Sequence, residues 1–502
     1  MSRSALFKAL VGIAAVLLIL PAAAAAKPKR GPIEQVGHEP LMNRGMNAAI
    51  AVHGDYAYIG SRTDGGHPGM PHGGIMVVDI SDPSAPKLLT DSPIDAKPGE
   101  SSRELRVWQS QGILIVLNTN CGVGDTLHHC TQPSISNFRF YDIRGANAGN
   151  PKLLTQFNAD THEFFLWQDP RNPGRALIFA GNAGSTCAVR GGSPSCPFSV
   201  WDISGVPNGE QPVTLYSGLH RYRQFPAPPA PVQIPTGALH SLSVSNDGTR
   251  AYFALLTGGF AVVDTSEFAE GAPSPLPDRI TNNESRPFWP GPGAHSAIKF
   301  WNRDWAYVSD EVYGTATGPD HGCPWGWARM VDISDPTEPT VEAEYRIPEN
   351  DPATCADWNP PHTSYSAHNP TLTPRIAFST WHSGGFQAIS IRNPRRPYQL
   401  GEFFPEPLDQ VMLEDPRLSS DPDTGRHEKV VMWSYPIIKD GLIYVIDLRN
   451  GLYVLDYNGR YKREVDRIGF LEGNSNQGDA LCFDPVGSAP AYCRGKDDRD
   501  DD

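Results

Sequence analysis

Four histidines stand in look-alike settings, Thr161-His162-Glu163, Leu239-His240-Ser241, Ala294-His295-Ser296 and Ala367-His368-Asn369, and the whole chain holds only 15 His. Imidazole nitrogen suits Fe, Cu, Zn or Ni. An ion held by imidazoles with one position left open can support oxidation, oxygen-dependent cleavage or hydrolysis of a small molecule. The expectation is therefore one transition-metal ion, Fe, Cu or Zn, held by His162, His240, His295 and His368. Carboxylates that could brace such ligands are close by, since Glu163 adjoins His162 and Asp310-Glu311 ends a strand on the same side. Glu104, at the matching place in another repeat, is a candidate fifth ligand or general base. Glu163 is a candidate proton carrier, and Trp381-His382 a pair framing the entrance. The same residues have a plainer reading, in which the histidines fill a channel and bond carbonyls and water; the sequence leaves both open. His67 and His72 lie in a Gly- and Pro-rich loop read as solvated rim, and His128 and His129 in a loop between two cysteines. Ser185 and Ser241 lack the G-x-S-x-G setting of a serine hydrolase, and no phosphate-binding or dinucleotide loop is present.

The elements that must position these side chains are organised around one stretch, Gly74-Ile75-Met76-Val77-Val78-Asp79-Ile80-Ser81-Asp82-Pro83. Its apolar run ends in an acidic residue and a turn. The pattern recurs at 140–143, 200–204, 261–266, 330–336, 388–391 and 453–457, about seven copies at a period of about 60 residues, the mark of a repeat architecture. β-Branched and aromatic residues build the strand, the Asp bonds local backbone, and Pro fixes the turn, so the Asp is structural. Between copies lie further strand-like runs at 56–60, 113–118, 176–180, 251–255, 306–308, 376–379 and 442–446, giving about four strands per repeat. The expected fold is all-β, a single seven-bladed β-propeller of four-stranded blades. Counting back from each cue to the start of the innermost strand makes Asn47, Glu104, His162, His240, His295, His368 and Trp433 equivalent. The long insertions 61–73, 118–133, 181–197 and 311–327 all fall on that face, where ordered loops carry function. The expected layout is a signal peptide over 1–26, the propeller over 27–466 with 34–41 supplying a ring-closing strand, and a C-terminal appendage with an acidic tail over 467–502.

The totals agree with this layout: 502 residues, 39% hydrophobic and 20% charged, with 48 Gly and 48 Pro for turns. A formal net charge of −14 leaves no basic stripe for phosphates and argues against nucleic acid as a partner. Arg3 and Lys8, an apolar run over 9–20 and small residues over 22–26 read as a secretory signal, with the mature chain starting near Lys27 and a retained anchor as the alternative. No later run approaches a membrane span. The expected location is secreted, periplasmic or cell-surface. Eight cysteines suit an oxidising compartment, and proximity pairs Cys121 with Cys130, Cys187 with Cys196, Cys323 with Cys355 and Cys482 with Cys493 as loop staples. A metal-thiolate cluster is disfavoured by the absence of C-x-x-C. Asn283-Glu284-Ser285 is a glycosylation sequon, meaningful in a eukaryotic secretory route.

The run Met76-Val77-Val78-Asp79-Ile80-Ser81-Asp82-Pro83-Ser84-Ala85-Pro86 resembles the LVIVD-repeat family. Val36-Gly37-His38-Glu39-Pro40-Leu41 and the segment from His295-Ser296-Ala297 to Ser309-Asp310-Glu311 are similar to it as well, so the resemblance runs from about Gly37 to Tyr457. It implies a secreted or surface propeller of largely unassigned activity. In architecture only, the chain is similar to propeller enzymes with an axial histidine-bound metal, such as carotenoid cleavage oxygenases and selenium-binding-protein-like thiol oxidases. Those space their ligands around the ring, whereas here the four histidines sit on neighbouring blades. Two functions follow as expectations. One is a secreted metalloenzyme for a small-molecule substrate. The other is a non-catalytic propeller that binds an extracellular protein or glycan through its stapled rim. The chain is expected to be a monomer in either case.

Overall fold

The structure is a computed structural model that describes residues 31–66, 72–89, 94, 97–120, 134–182, 188–190, 193–218, 239–256, 259–281, 293–312, 325–351, 353, 355, 364–416, 418–419 and 429–493. The expected signal segment, His67, His128, His129, the Asn283 sequon and the acidic tail lie outside these residues.

Among the described residues the strands form seven antiparallel blades, six of them four-stranded. Blade 1 is Asn47–His53, Tyr56–Ser61, Met76–Asp79 and Lys87–Leu88, and blade 2 is Glu100–Trp108, Ile113–Asn120, Asn137–Asp142 and Lys152–Asn158. Blade 3 is Glu163–Gln168, Ala176–Gly181, Phe198–Asp202 and Val213–Gly218, and blade 4 is Leu239–Val244, Arg250–Leu255, Gly259–Asp264 and Asp278–Arg279. Blade 5 is Ala294–Lys299, Trp305–Asp310, Ala328–Asp332 and Thr340–Tyr345, and blade 6 is Pro370–Leu372, Ile376–Thr380, Phe386–Ser390 and Tyr398–Phe403. Blade 7 takes Ile437–Lys439, Leu442–Asp447 and Gly451–Tyr457 from the end of the chain.

Alternation on the strands explains why blades stack. Ile113, Ile115 and Leu117 pack toward blade 3, while Leu114 and Val116, between them, pack toward blade 1. Both faces of a blade are buried, so the strands read as near-continuous apolar runs. The recurring acidic residue has the role expected of it: the Asp79, Asp202, Asp264 and Asp332 carboxylates each accept from the backbone N–H two residues on, at 2.8–3.0 Å. Among the described residues, no helix is long and apolar enough to cross a membrane.

The ring closes by mixing the chain ends. Ile33–Glu39 pairs antiparallel with Gly451–Tyr457 and completes blade 7 as its outer strand, as the 34–41 segment was expected to do. This leaves no open seam between first and last blade.

The segment after 466 departs from the expected appendage, because its polar side chains match unpaired backbone along the channel. Phe470–Glu472 adds a strand to the inner edge of blade 7, against Ile437–Lys439. The chain then crosses the ring. The Gly473 N–H donates to Thr371 Oγ1 in blade 6, and Asn474 Nδ2 to Phe164 O in blade 3 (2.6 Å). Asn476 exchanges two 2.7 Å hydrogen bonds with the backbone of Gln168, and Gln477 exchanges two at 2.8 Å with Val107 O and Gln109 N of blade 2. The contacts to Gln168, Val107 and Gln109 lie at the C-terminal ends of their inner strands, while those to Phe164 and Thr371 lie further back, so the chain's own tail runs across that end of the channel. Cys482–Cys493 is a disulfide, as expected. Cys196 and Cys355 are also disulfide-bonded, and Cys121, Cys130, Cys187 and Cys323 lie outside the described residues.

Candidate metal centre in the channel

The four histidines open the inner strands of blades 3 to 6, and the structure brings all four together. Adjacent ring centroids are 4.2 Å apart for His162–His240, 4.1 Å for His240–His295 and 4.3 Å for His295–His368. His240 and His295 are each the extra residue of a β-bulge, since pairing jumps from Leu239 to Ser241 and from Ala294 to Ser296. A bulge re-aims its side chain and leaves the rest of the strand in register. Gly181 supplies the room: a Cβ there would meet Leu239 Cγ at 2.9 Å and His240 O at 3.1 Å.

Strand register corrects the equivalence counted from sequence. In blade 3 Leu177 faces Asp202 and Gly181 faces Glu163; in blade 2 Ile113 faces Asp142 and Leu117 faces Glu104. Glu104 is therefore level with Glu163, one residue deeper than the histidines, and Arg103 is the bulge residue of blade 2. Ser241 and Ser296 occupy the same deeper level. Asn47 is structural, with Oδ1 accepting from Arg44 Nε and Nδ2 donating to Leu448 O. Trp433 extends the histidine arc into blade 7, 4.1 Å from the His368 ring and 5.2 Å from His382.

Two residues named for secondary roles belong to the arc itself. Glu311, expected only to brace ligands, lies 3.4 Å from His295 Nε2 and 3.2 Å from both His368 Nε2 and His382 Nε2. Its backbone is pinned by an N–H donated to Gly293 O at 2.7 Å. Asp310 beside it turns away to pair with Arg329. His382 is fully buried and sits at φ 36, in the left-handed region that costs a side-chain-bearing residue energy. Trp381 does not frame an entrance; it is a core residue whose Nε1 donates to Asn350 Oδ1. Glu163 completes the set, 3.7 Å from His240 Nδ1 and 3.4 Å from His295 Nε2.

Hydrogen bonds fix which nitrogens carry lone pairs. His368 Nδ1 faces the Trp433 carbonyl at 2.6 Å, and a carbonyl only accepts, so Nδ1 carries the proton and Nε2 is bare toward Glu311. Ser296 Oγ donates to Asn369 Oδ1 and so accepts from His295 Nδ1 at 2.8 Å, leaving His295 Nε2 bare between Glu163 and Glu311. Histidines that bind metal are typically oriented by such a bond from the other ring nitrogen. His240 Nδ1, Glu163 Oε2 and Glu311 Oε1 are buried and make no hydrogen bond. Burial holds His240, His295 and His368 neutral, with His295 down to about 4. Burial and then Glu104 push the Glu163 carboxyl well above its usual range.

The donors fit an ion. Ligands about 2.1 Å from one metal lie roughly 3 to 4 Å from one another. The contacts of 3.2–3.7 Å above match this, and three groups qualify: His162, Glu163 and His240; His240, His295 and Glu311; and Glu311, His368 and His382. A deeper polar layer supports them. Tyr435 Oη joins Ser241 and Ser296 at 3.3 and 3.1 Å. Arg106 lies between Glu104 (3.1 Å) and Glu472 (2.8 Å), with its guanidinium over Phe164 and Tyr435.

The LVIVD repeat family model matches residues 44–91 and 329–346, so the chain carries LVIVD repeats in a seven-bladed propeller. Solved structures of Sqt1 from Chaetomium thermophilum are similar in shape. One, bound to the N-terminus of the ribosomal protein L10, is 14% identical with a TM-score of 0.43 over 83% of this chain and 89% of that chain. Another is 13% identical with a TM-score of 0.43 over 84% and 86%. No curated protein matches the chain.

Proposed function

We propose that this LVIVD-repeat propeller is a secreted or periplasmic metalloenzyme whose channel binds a transition metal through His162, His240, His295, His368 and His382 with Glu163 and Glu311. The observation that carries the reading is the facing of bare lone pairs. His368 Nε2 and His295 Nε2, their other nitrogens committed to bonds, point at carboxylate oxygens in a buried site. A cation between these atoms turns repulsion into ligation.

Nitrogen-rich sites suit Fe, Cu or Zn, and the bound ion would supply oxidase, oxygenase or hydrolase chemistry on a small molecule. The chain's residues divide the remaining tasks. The C-terminal segment runs across the far end, so a substrate enters from the histidine side. Glu104, beside Glu163 and held up by burial against the pull of Arg106, is the proton carrier. Trp433, stacked on His382 and lying under the Arg62 guanidinium, packs the blade-7 end of the arc.

The test is elemental analysis of tag-free protein isolated without chelator. A stoichiometric transition metal is expected, and metal-free protein that also fails to take up added Fe2+, Cu2+ or Zn2+ would leave only polar filling of the channel. With metal found, activity screens begin with oxidation and oxygen-dependent cleavage, then hydrolysis.

A further inference from the structure

The arc of donors is longer than one ion can use. His162, Glu163 and His240 form one compact group, and Glu311, His368 and His382 form another, with no residue in common. Each offers two imidazoles and one carboxylate. His295 sits at the joint, with Nε2 at 3.4 Å from Glu163 on one side and 3.4 Å from Glu311 on the other. The His162 ring reaches His368 only through His240 and His295. Among the described residues, no set of ligand atoms lying within 4.8 Å of one another joins His162 and Glu163 to Glu311, His368 and His382.

We infer that the channel holds two divalent transition-metal ions at once, one on His162, Glu163 and His240 and the other on Glu311, His368 and His382, with His295 between them. This rests on the metal reading above and goes beyond it in number and place. The charge count agrees: the two carboxylates fall one to each group, so neither ion is left without an anionic ligand in a buried site. Arg106 makes its ion pairs with Glu104 at 3.1 Å and Glu472 at 2.8 Å. Two neighbouring ions with open positions would suit a substrate or bridging ligand that carries more than one oxygen donor.

The experiment is a titration of chelator-stripped, tag-free full chain with Zn2+ and, separately, Mn2+, with bound metal counted after gel filtration. Two ions per chain are expected for the wild type. His162→Gln and His382→Gln should each fall to one ion, and the double variant to none. His162→Ala and His382→Ala, checked by circular dichroism and melting, cover the case in which a glutamine variant misfolds. Saturation of the folded wild type at one ion overturns the inference while leaving the metal reading intact; zero ions overturns both. A single variant that still binds two ions, or loses both, also overturns it.

Discussion

His368 and Glu311 face each other across 3.2 Å through atoms that both bear lone pairs, Nε2 and Oε1, while the proton of His368 is held on the far side of the ring by the Trp433 carbonyl. Without a cation this contact is unfavourable, and burial keeps the imidazole from taking up the proton that would relieve it.

Glu311→Gln should therefore split stability from metal binding. The amide can donate to a bare imidazole nitrogen, so chelator-treated variant should match or exceed chelator-treated wild type by about 1–3 kcal/mol. The stabilisation that added metal gives the wild type should shrink in the variant. Melting curves with and without chelator read both effects. A variant that melts lower under both conditions, with metal content unchanged, would contradict the role given to Glu311.

Ser296→Ala removes the hydroxyl that orients His295 and links it to Tyr435 and Asn369. Loss of such a bond on a ligand weakens metal binding by about 10–100-fold. Competition against a chelator of known affinity measures this. An unchanged affinity would remove His295 from the ligand set.

Glu472 carries a pH signature. Burial raises its carboxyl to about 7, against the pull of Arg106, from an ordinary value of 4.5. A group whose folded pKa is raised contributes stability that is complete below 4.5 and lost as pH rises through 7. Glu472→Gln mimics the protonated form. Its stability relative to wild type should thus rise between pH 5 and pH 8 by up to roughly 3 kcal/mol. Urea unfolding of chelator-treated proteins at the two pH values tests it, and a constant difference would falsify the assignment.

The closing strand gives a prediction about the ring. A Cβ at Gly37 would meet Pro83 O at 2.1 Å, so Gly37→Ala should weaken the clasp between blade 7 and blade 1 by about 1–3 kcal/mol. Deleting residues through Pro40 should do more, leaving Gly451–Tyr457 as an open edge prone to association. Thermal melting and light scattering distinguish the two effects.

The sequence by itself determined the architecture, because a propeller blade is a local object. Five of the recurring runs, ending at Asp79, Asp142, Asp202, Asp264 and Asp332, close in an Asx turn written in neighbouring residues, the second strands begin within a residue of where alternation places them, and the strand at Ile33–Glu39 was legible as a clasp. The four histidines were legible too, since they share a phase with the repeat. Tertiary structure alone decided the rest. Glu311 becomes part of the arc because its backbone is fixed by Gly293, a contact without sequence periodicity. Arg103, His240 and His295 are the bulge residues of blades 2, 4 and 5, so Arg103 and not Glu104 is the histidines' counterpart, and it is strand pairing that shows Glu104 was placed one level too high. Trp381 and His382 are adjacent in the chain, yet a turn with a left-handed residue sends one to the core and the other to the arc. The C-terminal segment reads as a polar, Gly-containing tail; only the closed ring presents the row of unpaired inner-strand backbone that its Asn and Gln side chains satisfy.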